Sequence, residues 1–289
     1  MSVVGHGVPE AVITAMLDAT DELFALPSEE KLRLRPPSPG INRGYAPKGS
    51  EGLAYSLGVD GRPPDLFEAF NIGPDSIPPG VPDGRAEFAA NVWPERPAAL
   101  RPALVAYFEE VAALARRLTR VMARALGLDE EFFVDKTDHS TDTLRVNHYE
   151  RGPAEPEPLA GQQRMGAHTD YGILTVLYAD RVPGLEIVGP DRSWYGVLPE
   201  PDGLLVNLGD LLARWTNDRW RSTLHRVVDP PDPAAATARR QSMPYFQNAN
   251  WSAAVSCLPT CLQPGEKPRY EPVLAGPHLM GKFRRSVSL

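Results

Sequence analysis

Two histidines and one aspartate in the second half of the chain have the spacing of a metal site. His168 and Asp170 are separated by one residue, and His225 follows 55 residues after Asp170. Along an extended chain, residues i and i+2 project to the same side, so an imidazole and a carboxylate can bind one ion. Two imidazoles and one carboxylate form the facial triad that holds non-haem Fe(II) and leaves coordination positions open. A closed structural zinc site would need a fourth ligand.

A second pair of residues can bind a carboxylate. Arg240 lies 15 residues beyond His225, and Ser242 is again two residues further on. On a strand both side chains point the same way, so a guanidinium group and a hydroxyl can hold one carboxylate of a small diacid. Taken alone, the pair is more typical of a surface arginine and a serine at the edge of the core.

Short strands must position these residues. After Gly127 the apolar pattern changes from a period of 3.6 to a period of 2. Strands are predicted over 143–149, 173–178, 185–188, 194–197, 204–208, 224–228 and 242–246. Short strands at this spacing indicate a sandwich or jelly roll rather than alternating βαβ units. The predicted fold class is α+β with a mainly β core and with N-terminal and flanking helices.

Helices and a loop-rich layer precede the strands. Apolar residues recur at helical spacing between Pro9 and Pro27, and the clearest amphipathic stripe runs from about Ala98 to Leu126. The region from Leu34 to Pro97 is predicted to be extended and rich in loops, because proline fixes φ and removes a backbone donor. Its prolines include Pro36, Pro37, Pro39, Pro63, Pro64, Pro78, Pro79 and Pro82.

The order of the motifs resembles that of a known enzyme family. His168-Thr169-Asp170, His225-Arg226-Val227 and Arg240-Gln241-Ser242 together resemble the isopenicillin N synthase-like branch of the Fe(II)- and 2-oxoglutarate-dependent oxygenases. The resemblance covers essentially the whole chain. Further matching stretches are His6-Gly7-Val8-Pro9, Asn42-Arg43-Gly44-Tyr45, Asn147-His148-Tyr149, Asn207-Leu208-Gly209-Asp210 and Trp215-Thr216-Asn217.

This resemblance implies a fold, a metal and a reaction. The core would be a double-stranded β-helix (a jelly roll), with Fe(II) held by His168, Asp170 and His225. Oxygen and 2-oxoglutarate would be consumed to give succinate and CO₂, with ascorbate as an accessory reductant. The coupled oxidation of a small molecule would be a hydroxylation, a desaturation or a ring closure. Specialised metabolism, such as antibiotic biosynthesis, is the expected setting, and the substrate itself is not identified.

The resemblance also assigns the co-substrate site. The distal carboxylate of 2-oxoglutarate would meet Arg240 and Ser242. Tyr149 would add a hydrogen bond, and Asn147 would lie near the iron or the substrate. His148, between them, is expected to point to the other side of its strand and to be structural.

The expected domain organisation is a single dioxygenase domain over residues 1–289. It comprises a helical and loop-rich part over about 1–140, a jelly-roll core over about 141–250 and a C-terminal extension over 251–289. Phe283, Arg284 and Arg285 are expected to form a solvated tail. In this family the proline-rich layer covers the barrel mouth, so we expect it to select the substrate. Family members also carry a strand and a helix ahead of the His6-Gly7-Val8-Pro9 stretch, so an N-terminal strand is expected to be missing.

Two other functions are compatible with the motifs. One is an iron-dependent oxidase of the same family that does not use 2-oxoglutarate, since such oxidases can keep both Arg240 and Ser242. The other is a non-catalytic binding protein on a degenerate oxygenase fold. The complete set of three metal ligands argues against the binding protein.

Composition excludes several other classes. With 30 Lys+Arg against 37 Asp+Glu, the net charge is -7, which gives no basic surface for nucleic acid. No apolar run approaches the roughly 20 residues that cross a bilayer, and no secretory signal opens the chain. The only cysteines, Cys257 and Cys261, are interpreted as reduced thiols of a cytoplasmic protein. The oligomeric state is left open.

Overall fold

Two larger antiparallel sheets and one two-stranded sheet contain the strands that the structure describes. The computed structural model describes residues 1–38, 40–59, 61–74, 86–152, 155–230 and 238–287. The strands are β1 (Ser2–Val3), β2 (Gly44–Ala46), β3 (Glu68–Ile72), β4 (Thr143–Tyr149), β5 (Met165–His168), β6 (Leu174–Ala179), β7 (Leu185–Val188), β8 (Trp194–Gly196), β9 (Leu204–Leu208), β10 (His225–Val227), β11 (Arg240–Gln247), β12 (Ala254–Val255) and β13 (Val273–Leu274). The helices are α1 (Glu10–Phe24), α2 (Ser28–Leu32), α3 (Leu100–Ala125), α4 (Asp210–Trp215) and α5 (Ala275–Ser286).

The strand order confirms the predicted jelly roll. The larger sheet has the order β1-β9-β6-β11-β4-β3-β2, the smaller sheet has the order β5-β10-β7-β8, and β12 pairs with β13. From β4 to β11 the chain passes repeatedly between the two sheets, which is the winding of a double-stranded β-helix. Side chains on the inner faces of both sheets line one cavity.

The outer face of the larger sheet packs against helices. Because side chains alternate along a strand, Leu144 and Val146 of β4 point away from the cavity and are fully buried. They join one apolar core with Tyr107 and Val111 of the long amphipathic helix α3. Among the described residues, no helix is both long and apolar enough to cross a membrane.

The structure contains elements that the sequence did not predict, among them α4, β12 and β13. Strand β5 was not predicted, because Met165-Gly166-Ala167-His168 is short and contains no β-branched residue. The proline-rich layer also contributes β2 and β3 to the larger sheet, so it is more regular than the loops expected there. Of the prolines named for this layer, Pro39, Pro78, Pro79 and Pro82 lie outside the described residues.

One motif of this layer is structural. Gly44 has φ +76°, and a Cβ there would lie 2.2 Å from the backbone oxygen of Leu34, so only glycine fits. The next residue, Tyr45, donates a hydrogen bond from its hydroxyl to Glu68 on β3. The Arg-Gly-Tyr stretch therefore fixes the start of β2 against the barrel.

The C-terminal segment is a helix over the cavity rather than a solvated tail. Leu279, Met280 and Phe283 of α5 line the cavity, so the tail prediction is wrong for Phe283, although Arg284 and Arg285 are exposed. A backbone hydrogen bond of 2.9 Å from Gly52 to Ser286 ties the end of α5 to the N-terminal layer. An aromatic side chain was not expected to turn inward there, because the pattern of the last residues is dominated by basic side chains.

Candidate active site

Three side chains that could hold a metal ion meet where two strands of the smaller sheet pair. His168 ends β5 and lies directly opposite His225, which begins β10. Asp170 follows two residues after β5, and its Oδ1 lies 4.0 Å from Nε2 of His168 and 3.7 Å from Nε2 of His225. One ligand atom from each residue falls within 4.8 Å of the others. The predicted spacing therefore does bring the three side chains together.

Backbone carbonyls orient both imidazole rings. Nδ1 of His168 lies 2.8 Å from the oxygen of Gly166, and Nδ1 of His225 lies 2.9 Å from the oxygen of Thr223. A carbonyl can only accept, so each Nδ1 carries a proton and Nε2 is the ring nitrogen left to face Asp170. Burial lowers the pKa of His168 to about 3, with a further lowering by His225, so the ring is neutral near pH 7. Neutral imidazole is the form that binds a metal.

The carboxylate of Asp170 is oriented in the same way. Its Oδ2 accepts hydrogen bonds from Thr175 Oγ1 at 2.5 Å and from Asn207 Nδ2 at 2.6 Å. Burial alone would raise the pKa of Asp170, but the two histidines and these hydrogen bonds hold it below its ordinary value. Oδ1 remains directed toward the histidines.

Thr175 and Asn207 orient Asp170, an arrangement that the sequence did not reveal. They lie opposite each other on β6 and β9, a pairing that depends on the register of the larger sheet. The only sequence feature that points to Asn207 is its place in the Asn-Leu-Gly-Asp stretch. The two Nε2 atoms and the Asp170 Oδ1 are the potential ligand atoms, and in each side chain the other polar atom is held by a hydrogen bond. Three such atoms fit a metal ion that keeps open positions on its other side.

The four residues predicted to bind 2-oxoglutarate form two cross-strand pairs. Arg240 of β11 lies opposite Tyr149 of β4, and Ser242 lies opposite Asn147. All four line the same cavity as His168, Asp170 and His225. The cavity encloses about 430 Å³ and has apolar walls toward Arg240. Those walls include Leu177, Leu185, Leu205 and Val227.

Arg240 is a buried cation in need of a partner. Only 1% of the residue is exposed, and neither Nε nor Nη1 has a hydrogen-bond partner among the described residues. The guanidinium carbon lies 5.1 Å from the centre of the Tyr149 ring, which offers a cation–π contact but no acceptor. A buried charge without an acceptor is costly, so the group fits a carboxylate bound in the cavity.

Arg145 fixes the neighbouring amide. Its Nε donates to Oδ1 of Asn147 at 2.7 Å, so the amide nitrogen of Asn147 must face Ser242, 3.5 Å from the Ser242 Oγ. The other nitrogens of Arg145 bind Asn71 and Glu51. His148 points the opposite way, stacks on the Phe24 ring and hydrogen-bonds to Glu68, which agrees with a structural role.

Comparisons with known proteins agree with this geometry. Residues 140–249 match the sequence model of the 2OG-Fe(II) oxygenase superfamily, and residues 1–96 match that of the N-terminal region of non-haem dioxygenases in morphine synthesis. A 2-oxoglutarate-Fe(II) type oxidoreductase, hxnY of Emericella nidulans, is 33% identical over 98% of this chain and 80% of its own length.

Two further similarities involve proteins with named small molecules. Validamycin A dioxygenase of Streptomyces hygroscopicus subsp. limoneus is 34% identical over 85% of this chain and 67% of its own length. The crystal structure of a full-length Neurospora crassa protein in complex with alpha-KG and thymine superposes with a TM-score of 0.82 at 29% identity, covering 96% of this chain and 85% of that one.

Proposed function

Because the chain belongs to the 2OG-Fe(II) oxygenase superfamily, we propose that this cavity is where it oxidises a C–H bond of a small molecule. The protein is a 2-oxoglutarate-dependent oxidoreductase that uses Fe(II). For a hydroxylation, 2-oxoglutarate, O₂ and the substrate R–H give succinate, CO₂ and R–OH. The observation that carries the placement is the buried Arg240, whose unpartnered nitrogens share one cavity with the two histidines and the aspartate.

We assign the metal to His168, Asp170 and His225. Bound Fe(II) supplies the activation of oxygen, which no protein side chain can provide. The protein contributes two imidazoles, oriented by the backbone oxygens of Gly166 and Thr223, and one carboxylate oxygen. The carboxylate of Asp170 keeps its orientation because its Oδ2 already accepts hydrogen bonds from Thr175 and Asn207. A site prepared in this way needs little rearrangement when the ion binds.

We assign the distal carboxylate of 2-oxoglutarate to Arg240 and Ser242. The guanidinium group offers two free donors, and the hydroxyl lies on the same face of β11. Tyr149 supports the arginine from the opposite strand, and the amide nitrogen of Asn147 faces the bound molecule beside Ser242. The apolar walls around this end exclude water and strengthen the ion pair.

The substrate is proposed to be a small molecule of specialised metabolism, including antibiotic biosynthesis. The validamycin A dioxygenase supports this setting. A cavity of about 430 Å³ lies near the lower end of the range for small-molecule sites, and it must hold the co-substrate as well. We further propose that the enzyme works in the cytoplasm, since Cys257 and Cys261 are both free thiols.

One experiment separates this function from its alternatives. Purified protein is supplied with Fe(II), O₂ and candidate metabolites, and succinate is measured with and without 2-oxoglutarate. We expect succinate only when 2-oxoglutarate is present, with a mass change in one metabolite. Turnover of substrate without 2-oxoglutarate would indicate the iron oxidase. No charge-transfer absorption on anaerobic addition of Fe(II) and 2-oxoglutarate would indicate a binding protein.

A further inference from the structure

Two buried polar atoms at the other end of the cavity have no partner. Thr141 and Asn248 both line the cavity and are only 5% and 4% exposed. Within the described parts of the chain, the Oγ1 of Thr141 and the Oδ1 of Asn248 make no hydrogen bond. Buried polar atoms are almost always paired, so two unpaired oxygens on one cavity wall indicate a polar ligand. The Asn248 Oδ1 can only accept a hydrogen bond, and the Thr141 hydroxyl can accept one as well as donate one, so a donor on the ligand satisfies both. We call these two residues the acceptor pair.

Sheet register places the acceptor pair beyond the metal site, on the side away from Arg240. Phe246 lies opposite Thr175, and Thr175 lies opposite Asn207, so this row of the sheet carries the two residues that hold Asp170. Asn248 is two residues further along the chain, or roughly 7 Å along an extended chain. Arg240 lies six residues before Phe246, in the opposite direction along the same strand. Asn248 and Arg240 are therefore on opposite sides of the row that carries Thr175 and Asn207.

A close contact confirms how near the acceptor pair is to the metal ligands. A Cβ built on Gly172 would lie 2.5 Å from the Oδ1 of Asn248, and Gly172 follows only two residues after Asp170. A small molecule that binds the acceptor pair would therefore reach the metal site from the side opposite to 2-oxoglutarate.

Hydrogen bonds hold the acceptor pair in a fixed orientation. The Nδ2 of Asn248 donates to the backbone oxygen of Thr141 at 2.7 Å, and its backbone N–H donates to Asp142 at 2.7 Å. The amide nitrogen is thereby committed, so the unpaired atom must be the acceptor oxygen. Asn250 holds the same two segments together, since its Oδ1 accepts from the backbone N–H of His139 at 3.0 Å.

The charges nearby favour a neutral ligand. Of the charged side chains that line the cavity, Arg145 and Glu51 form a buried ion pair at 3.0 Å, Arg43 donates to backbone oxygens, and Arg221 is exposed. A charged group placed against two neutral oxygens would lose its hydration without a counter-charge. A neutral N–H or O–H donor satisfies the oxygens without that cost.

We propose that the acceptor pair, Thr141 and Asn248, is a substrate-binding subsite that recognises an uncharged N–H or O–H group of the substrate. This inference rests on the proposed function, because it takes the metal to lie between the acceptor pair and Arg240. It narrows the substrate to a neutral small molecule with a hydrogen-bond donor at the end opposite to 2-oxoglutarate.

The test titrates neutral probes into the full-length protein loaded anaerobically with Fe(II) and 2-oxoglutarate. The probes are thymine and N,N-dimethylthymine, and pyrrolidinone and N-methylpyrrolidinone, which differ within each pair in N–H donors. Binding is followed as a shift of the charge-transfer absorption. At least one N–H probe is expected to bind about 10-fold tighter than its methylated partner, because the methylated form leaves acceptors unpaired.

Variants connect that difference to the two residues. Thr141→Val removes only the hydroxyl and keeps the volume, and it should weaken the N–H probe about 3- to 10-fold without affecting the methylated probe. Asn248→Leu should have the same selective effect. Thr119→Val on α3 is the matched control, because Thr119 is buried away from the cavity and bonds only to backbone oxygens of its own helix.

The outcomes are distinct. Absence of any charge-transfer absorption before a probe is added would overturn the proposed function itself. Normal absorption with no N–H probe binding, with equal binding of both members of each pair, or with unchanged affinity in both variants would overturn only the subsite. The absorption before titration also shows whether each variant is folded and loaded.

Discussion

At the scale of single residues, a buried polar side chain without a hydrogen-bond partner indicates which chemical group a ligand must supply. In the part of the chain that the structure describes, Nε and Nη1 of Arg240 have no acceptor, whereas Arg145 on the neighbouring strand has all of its nitrogen atoms bonded within the protein. Both cations line the same cavity, yet only one is available to a carboxylate. In the sequence only the motif order distinguished Arg240 from Arg145, because residue type alone does not show which arginine has an acceptor within the protein.

The first prediction concerns this free arginine. Arg240→Ala should keep Fe(II) binding and weaken 2-oxoglutarate by roughly 30- to 150-fold, the effect of losing about 2–3 kcal/mol of charge-assisted hydrogen bonding. Arg239→Ala is the matched control, because Arg239 is exposed and pairs with Asp21 at the surface. Titration of 2-oxoglutarate against the charge-transfer absorption measures both variants. Equal affinities in Arg240→Ala and wild type would refute the assignment.

A second prediction tests the support of the metal-binding carboxylate. Thr175→Val leaves Oδ2 of Asp170 with one hydrogen bond instead of two, so the carboxylate can rotate. Fe(II) affinity should fall about 10-fold or more, as is usual when such outer partners are lost. Affinity is measured by competition with a chelator in the absence of 2-oxoglutarate, with Thr119→Val as the control. An unchanged Fe(II) affinity would show that Asn207 alone orients Asp170.

The sequence pointed to the three residues that the structure brings together, but not to the side chains that orient Asp170. His168, Asp170 and His225 follow from residue type and spacing, and the order of the motifs indicated Arg240 and Ser242. Thr175 and Asn207 act only because β6 lies between β9 and β11. A long-range pairing of this kind has no trace in the local pattern of a chain.

At the scale of elements, one buried carboxylate joins the N-terminal layer to the barrel. Glu68 on β3 accepts hydrogen bonds from Lys31 of α2 at 2.8 Å and from Tyr45 of β2, and it contacts His148 of β4 at 3.1 Å. Burial alone would raise the pKa of Glu68, but these partners lower it to about 2. The network is therefore formed by an ionised carboxylate over most of the pH range.

This network gives stability a defined pH dependence. The pKa of Glu68 is lower in the folded state than its ordinary value of 4.5, so its contribution is complete above pH 4.5 and is lost as the pH falls toward 2. Glu68→Gln should lower the free energy of unfolding by about 3–5 kcal/mol at pH 7, because it leaves Lys31 buried without a counter-charge. Urea denaturation at pH 7 and pH 3 should show this difference narrowing in acid.

The control for that measurement is Glu29→Gln. Glu29 forms an ion pair with Arg33 in which both side chains are largely exposed, so the same substitution there should have little effect at either pH. A loss of stability in Glu68→Gln that stays constant between pH 7 and pH 3 would contradict an ionised role for Glu68.

Helix α5 supplies a prediction about the cover of the cavity. A Cβ on Gly276 would lie 2.1 Å from the Trp251 ring, whereas a Cβ on Gly281 of the same helix meets no atom within 4 Å. Gly276→Ala should therefore lower the free energy of unfolding by about 1–3 kcal/mol, because the added methyl group overpacks against Trp251. Gly281→Ala should be neutral or slightly stabilising, since alanine favours a helix. Thermal unfolding and amide exchange of α5 distinguish the two, and equal behaviour would show that α5 does not depend on the contact with Trp251.

At the scale of the whole molecule, the jelly roll was predictable because alternating apolar residues mark strands wherever one face is buried. The runs at 143–149, 185–188 and 204–208 coincide with β4, β7 and β9. Prediction failed at β5, whose small residues carry no such pattern, and at α5, whose inward face depends on what lies beneath it. What the sequence could not show was therefore how the two ends of the chain close over the cavity.

That closure leads to a last prediction, which concerns the proposed single domain over residues 1–289. Glu51 of the N-terminal layer pairs with Arg145 of β4, and Ser286 of α5 accepts from Gly52, so all three parts share buried contacts beside the cavity. Unfolding should be one cooperative calorimetric transition. Mn(II) with 2-oxoglutarate at about 100 times the dissociation constant should stabilise the whole protein by about 2.7 kcal/mol. A separate transition of the N-terminal layer, at a temperature that Mn(II) and 2-oxoglutarate do not change, would mean that the layer folds as its own unit. The cavity would then be an interface between two domains.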